Sequence, residues 1–286
     1  MRSGLAIILT SLVMAGATTF VGASDAQTLP PSLRQALDAA VAASPTPKSV
    51  LADQADWQTS LAEPGVDRED AIGSRLERLQ AIANRDRRLA AIRDVALPGP
   101  SCVVEALKGC SAFMGGWLAS RGHVLHWQLQ SGFTDADGGA NGVVFLTGSG
   151  ARLHPVAWGF DAARFDAPVL FGDGDQTYVA VPGIHGGSGA GNADLVFRWT
   201  PGADRELVQV DTWSWMDQLQ TQLPAGLSGR SVRMDYHEMF ATTPLWREQD
   251  GACCATGGTA LLSFEIRDDV LTLTEVRVQR PDQAAE

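Results

Sequence analysis

Two hydrophobic periodicities divide the chain. Across residues 30–97 apolar side chains recur every three or four positions, the spacing of one helix face. Beyond residue 100 they alternate or run in short blocks, as strands require. Leu33, Leu37, Ala40 and Val41 mark a first helix, with Ser32 and Gln35 spaced as a capping box. A second starts at Thr46 as N-cap, with Pro47 in its first turn, and places Val50, Gln54, Trp57 and Leu61 on one stripe. The third opens at Asp67, and Glu69 and Asp70 complement its positive N-terminal end. It sets Ile72, Leu76, Leu79, Ile82 or Ala83, and Leu89 or Ala90 opposite many arginines as far as about Arg93; Gly73 weakens it locally. These stripes need each other, or the remainder of the chain, to be buried.

In the second half, Leu125, Trp127 and Leu129 alternate with His126, Gln128 and Gln130, the pattern of a half-buried strand. Further strands are expected over residues 142–147, 168–171, 177–181, 193–199 and 206–213. Residues 259–267 and 270–278 flank Asp268-Asp269 as a hairpin. Between them residues 214–223 predict a short helix, with Asp217 completing its cap and Pro224 and Gly226 ending it. The expected fold class is α+β: an N-terminal helical hairpin or bundle (residues 30–97), then an antiparallel β-rich domain with one short helix (residues 101–280). A parallel doubly wound fold needs alternating helices, which this half lacks.

Composition sharpens the division. Residues 33–94 hold one aromatic, Trp57, whereas 18 of the 20 aromatics lie in residues 101–286, so the boundary falls near Pro98-Gly99-Pro100. The formal charge of −11 disfavours nucleic acid and anionic membrane surfaces as partners. At the N-terminus, Arg2 precedes an apolar run from Leu5 to Ala17 and then small residues to Ala23. This is the pattern of a secretory signal peptide (residues 1–23), cleaved after Ala23 or Ala26. The run is too short and interrupted to span a bilayer, so the mature chain is expected to have no membrane span and to be periplasmic or secreted. Export favours disulfides among Cys102, Cys110, Cys253 and Cys254. Pairing Cys102 with Cys110 and Cys253 with Cys254 is simplest in sequence; two long-range bridges between the pairs are the alternative.

Gln54-Ala55-Asp56-Trp57, followed by Arg75-Leu76-Glu77-Arg78-Leu79, resembles the helical module named after the mycobacterial lysozyme inhibitor LprI. There a Gln-x-x-Trp turn precedes a helix carrying Arg, an apolar residue and Leu. Family members usually add an Arg and cysteines around the Trp, which this chain lacks. The resemblance covers roughly 60 residues and implies lysozyme inhibition. Separately, Leu245-Trp246 and Asp250-Gly251-Ala252-Cys253-Cys254-Ala255-Thr256-Gly257-Gly258 resemble the Cys-Cys-Pro-x-Gly-Gly signature of uncharacterised bacterial envelope proteins, with Ala255 in place of Pro. That likeness implies location and fold.

Several clusters invite chemistry. Ile184-His185-Gly186-Gly187-Ser188-Gly189-Ala190-Gly191 has the His-Gly-Gly turn of an esterase oxyanion loop and the glycines of a phosphate cradle. Both need a following helix, whereas a strand is expected at residue 193, so a connecting loop is the simpler reading. His123 and His126, three apart on a strand, point to opposite faces and cannot easily share a metal. Asp135, Asp137 and Asn141 with Gly138 and Gly139, and Asp173 and Asp175 around Gly174, echo calcium loops without a complete ligand set. Tyr236-His237-Glu238 offers acid and base groups that nothing pairs in sequence, and eight tryptophans can either stack on glycan or fill core.

No cofactor or metal site is implied. The leading expectation is an exported, non-catalytic envelope protein that binds a protein or cell-wall glycan partner. Its most concrete form is a lysozyme inhibitor, since lysozymes are commonly basic and this chain is acidic. The alternatives are a periplasmic hydrolase using His185, Ser188 and an acid from elsewhere, and a structural envelope factor. The last would expose an apolar stripe on the helix from Asp67 to Arg93.

Overall fold

The computed structural model describes residues 29–96, 99–134, 138–149, 152–172, 175–185, 192–251 and 253–280. The signal-like segment and Ser188 lie outside the described residues, as do Asp135, Asp137 and Asp173.

Helices α1 (Pro31–Ala43), α2 (Pro47–Ser60) and α3 (Arg68–Ala91) come first. The capping box at Ser32 does not form. Pro30 is the N-cap of α1 and Pro31, preset in φ, takes the first helical position, which leaves Ser32 inside the first turn. Asp67 caps α3 as expected, accepting from the Glu69 and Asp70 N–H groups. The helix runs unbroken through Gly73.

The strands follow in chain order: β1 (Lys108–Ser120), β2 (His123–Thr134), β3 (Gly138–Ser149), β4 (Arg152–Asp161), β5 (Arg164–Phe165), β6 (Val169–Phe171), β7 (Thr177–Val181), β8 (Gly183–Ile184), β9 (Leu195–Trp199) and β10 (Leu207–Val210). Helix α4 (Ser214–Gln222) precedes β11 (Leu227–Gly229), β12 (Arg233–Asp235), β13 (Phe240–Arg247), β14 (Thr259–Arg267) and β15 (Val270–Gln279). All ladders between these strands are antiparallel, so the fold is α+β. Among the described residues three larger sheets form, ordered β1-β2-β3-β4, β10-β9-β7-β6 and β11-β13-β14-β15, with β12 also on β13, and β5 and β8 make a separate two-stranded sheet.

The sheets stack, and residue parity sorts their side chains between layers. Val179 and Val181 of β7 join Leu125, Trp127, Leu129 and Phe145 in the core between the first and second sheets. The intervening Tyr178 and Ala180 face the third sheet, meeting Ala241, Leu262 and Phe264 together with Trp215 and Leu219 of α4. The middle sheet is thus buried on both faces, which is why its strands read as continuous apolar blocks. On the outer face of the first sheet, Val144, Leu146, Leu153 and Trp158 receive Leu89 from the last turn of α3.

Three long strands escape the hydrophobic pattern. β1 has its large apolar side chains interrupted by small residues and by Gly115-Gly116, β4 contains Pro155, and β13 contains Pro244. Pro155 is tolerated because β4 is an edge strand. Pro244 falls in the gap between two short neighbours: β12 pairs with β13 only as far as Thr242, and β11 only from Leu245. The missing N–H therefore falls where neither β11 nor β12 pairs with β13. At α4 the capping carboxylate is Asp211, which accepts from the Trp213 and Ser214 N–H groups; Asp217 lies inside the helix.

Cys102 and Cys110 are bridged, with Cα atoms 6.2 Å apart, and the sulfurs of Cys253 and Cys254 pair with each other. The local connectivity is therefore the one adopted. No described helix is long and apolar enough to cross a membrane.

Candidate functional site

The residues that carry the LprI resemblance converge inside the helical segment. Arg75, only 3% exposed, donates from Nε to the Gln54 side-chain oxygen at 2.9 Å and from Nη1 to the Asp53 carboxylate at 2.6 Å. Its guanidinium lies 5.7 Å from the centre of the Trp57 ring. Arg78 reaches the other Asp53 oxygen at 3.4 Å. These contacts tie α2 to α3, and Gln54 and Arg75 are too buried to meet a partner. The apolar side of α3 is likewise covered: Ile72, Leu76, Leu79, Ile82 and Ala83 pack with Leu33, Ala36 and Ala40 of α1. The exposed stripe that a structural envelope factor would need is absent from the described residues of α3.

The glycine-rich segment is held at both stems. Asp194 accepts from the Gly183 N–H at 2.7 Å and from the Tyr236 hydroxyl at 2.6 Å, while Asn192 exchanges hydrogen bonds with the Val232 backbone. Burial raises the pKa of Asp194 despite both donors. Burial, then the neighbouring Asp194 charge, pushes the Tyr236 phenol well above its ordinary value. Tyr236 is thus spent on loop anchoring, while the Asp235 carboxylate accepts from the His237 and Glu238 backbone N–H groups. His185 Nδ1 lies 3.8 Å from an Asp161 oxygen, both side chains being partly exposed. Burial raises the Asp161 pKa, against the pull of His185. The pair is an acid and an imidazole at the loop stem; Ser188, the third member of the hydrolase reading, lies outside the described residues.

Among the described residues the other sequence candidates do not assemble; Asp135, Asp137 and Asp173 of the two calcium-like loops lie outside them. His123 and His126 both lie on β2, at positions of opposite parity, paired with Ser120 and Trp117 of β1. Asn141 donates to the Ala163 carbonyl within the sheet. Among the described residues no three His, Cys, Asp or Glu side chains gather as metal ligands.

Most of the tryptophans fill core: Trp127, Trp158, Trp199, Trp215 and Trp246 are buried, and Trp57 and Trp213 partly so. Trp117 is the exception, 65% exposed on β1. That strand is the outer edge of the first sheet, and among the described residues no strand pairs with its free side. From Gly109 to Ser120 it carries no charge, and Phe113 and Met114 beside one of its bulges are also exposed. Sequence reasoning missed this strand because Gly115-Gly116 interrupts the pattern. Gly116 is required: a Cβ there would come within 2.9 Å of the Trp127 ring lying across it. Natural edge strands are usually blunted by lysine, proline or an inward charge; here Lys108 stands only at the start of the strand, and two bulges interrupt the rest. Compared with known protein families and with curated proteins, the chain matches no family and no curated protein.

Proposed function

We propose that the protein is an exported, non-catalytic binding protein of the cell envelope whose partner is a basic protein of the lysozyme class, taken up along β1. The observation that supports this reading is the long outer edge of β1, uncharged from Gly109 to Ser120, with Trp117 exposed on it. A free strand edge offers a ladder of main-chain donors and acceptors to another polypeptide, and a projecting indole supplies an anchor beside it. One exposed tryptophan is a poor platform for a glycan, which needs successive rings. The charge of −11 draws a basic partner from a distance. The LprI-like helical module points to the same partner class, although its matched residues are used internally and recognition falls to β1.

The test is titration of the mature chain with a basic lysozyme at low salt, alongside the lytic rate. Binding with reduced lysis is expected, and Trp117→Lys should weaken it at least about tenfold with melting unchanged. No binding sinks the lysozyme reading, and binding indifferent to Trp117→Lys moves the site away from β1. The Asp161–His185 pair favours a second reading, a hydrolase, and ester or peptidoglycan turnover lost in His185→Ala would carry it.

A further inference from the structure

The loop between β13 and β14 is a tight knot about one carboxylate. Asp250 accepts from the Arg247 and Thr256 N–H groups, each at 2.8 Å, and from the Thr256 hydroxyl at 2.7 Å. The Cys254 N–H donates back to the Gly251 carbonyl. With both ends of the loop fixed in this way, Cys253 and Cys254 are held at the surface, both exposed. An open groove of about 720 Å³ lies alongside, lined in part by Arg247, Glu248, Gln249 and Gly257 of the same loop and by Leu227. The other bridge is differently placed. Cys102 and Cys110 are half-buried, and Cys110 Sγ faces the side-chain oxygen of the fully buried Gln130.

Two general effects separate these bridges. A bridge protects itself partly by the chain entropy it removes from the unfolded state, and that gain grows with the loop it closes. Eight residues separate Cys102 from Cys110, whereas the vicinal pair closes only its own peptide unit, with Cα atoms 3.8 Å apart. That spacing is below the range most disulfides occupy, so the ring is forced by adjacency. Exposure gives an incoming thiolate its line of attack.

We propose that Cys253–Cys254 is a thiol-exchange site, opened by soluble thiols under conditions that leave Cys102–Cys110 intact. An incoming thiolate attacks one of the two sulfurs; the sulfur–sulfur bond breaks, a mixed disulfide forms, and the neighbouring cysteine leaves as a thiolate. A second thiolate attacks the reagent sulfur of the mixed disulfide, releasing the oxidised reagent and the second cysteine thiolate. Both cysteines then take the protons that the two reagent thiols gave up. The net change is one protein disulfide and two thiols to one protein dithiol and one oxidised reagent. Because Asp250 holds the loop through backbone and threonine contacts, the exchange stays local.

The experiment uses the folded, air-oxidised protein, incubated with increasing glutathione, quenched with an alkylating reagent and read by peptide mass. Cys253 and Cys254 should become alkylated at glutathione concentrations at least about ten times lower than Cys102 and Cys110, with the far-UV spectrum unchanged. Opening of both bridges together, or of Cys102–Cys110 first, overturns the proposal. So does alkylation of Cys253 and Cys254 before any thiol is added, since no bridge would then exist to exchange.

Discussion

At position 75 the chain buries a guanidinium within a helix whose arginines were expected to lie opposite its apolar stripe. Arg75 stands one turn before Leu79, on the side that faces α2, and there it meets Gln54 and Asp53. The match is incomplete, because Arg75 Nη2 and Gln54 Nε2 have no protein partner. Arg75→Met keeps the bulk over Trp57 but strands the Gln54 oxygen and weakens the hold on Asp53, which retains Arg78. The expected cost is about 2 kcal/mol in urea unfolding, the usual penalty for an orphaned buried acceptor. Adding Gln54→Leu should recover part of it, since the double variant removes both halves of the bond. If Arg75→Met leaves stability unchanged, the cluster is not structural and Arg75 is free for recognition. Sequence spacing placed Gln54 and Trp57 on the buried stripe. It could not place Arg75 there, because a lone arginine among many carries no sign of which one is paired.

The β14–β15 hairpin was legible because its turn chemistry and its alternation agree. Asp268 and Asp269 both adopt positive φ, at 51° and 58°, a conformation that aspartate tolerates better than most residues. By contrast β1, β4 and β13 were hidden, since glycine and proline occupy positions that only the neighbouring strands make permissible. What the sequence also conceals is that the hairpin turn is a junction. Its Asp269 carboxylate takes a two-pronged bond from Arg198 of β9 at 2.7 and 2.8 Å, and its carbonyl accepts from Lys48 of α2 and from the Asp211 N–H. The Arg198 hydrogen bonds hold the Asp269 carboxyl below its ordinary pKa, against the opposing effect of burial. A lowered folded-state pKa stabilises the fold above the unfolded carboxylate value, and the gain is lost as pH falls through the folded value. Asp269→Asn keeps the turn, because asparagine also accepts positive φ, while removing the charge. It should cost about 1 kcal/mol at neutral pH, and the gap from the parent protein should close as melts are taken in acid to below the ordinary carboxylate range. A gap that persists in acid would mean that the turn geometry, not the ion pair, carries the effect.

Across the whole molecule, the composition break near residue 98 separates two kinds of sequence, but the structure bonds them together. The first backbone N–H groups of α2 find no acceptor on Thr46, their N-cap. They find it on β10: the buried Gln209 oxygen accepts from the Lys48 N–H at 2.9 Å and the Ser49 N–H at 3.4 Å, and its amide donates to the Ser49 hydroxyl at 2.6 Å. A side chain 160 residues away thus does the work a local cap usually does. Leu89 of α3 is sealed in the same way against the first sheet, and Arg85 sits 4.7 Å from the Phe160 ring. Neither contact can be read from local periodicity, because each partner belongs to a different period. Helices so dependent on the sheets should not unfold alone, and the far-UV helix signal and the tryptophan fluorescence should fall in one coincident thermal transition. Gln209→Leu is the sharper test. It removes the distant cap while conserving bulk, so it should cost about 1 to 2 kcal/mol, the range for losing an N-cap. If the two elements form one cooperative unit, that loss lowers both signals together. Helix signal melting before the fluorescence in the parent protein would show instead that α1 to α3 are an independent module, and Gln209→Leu would then leave the fluorescence midpoint where it was.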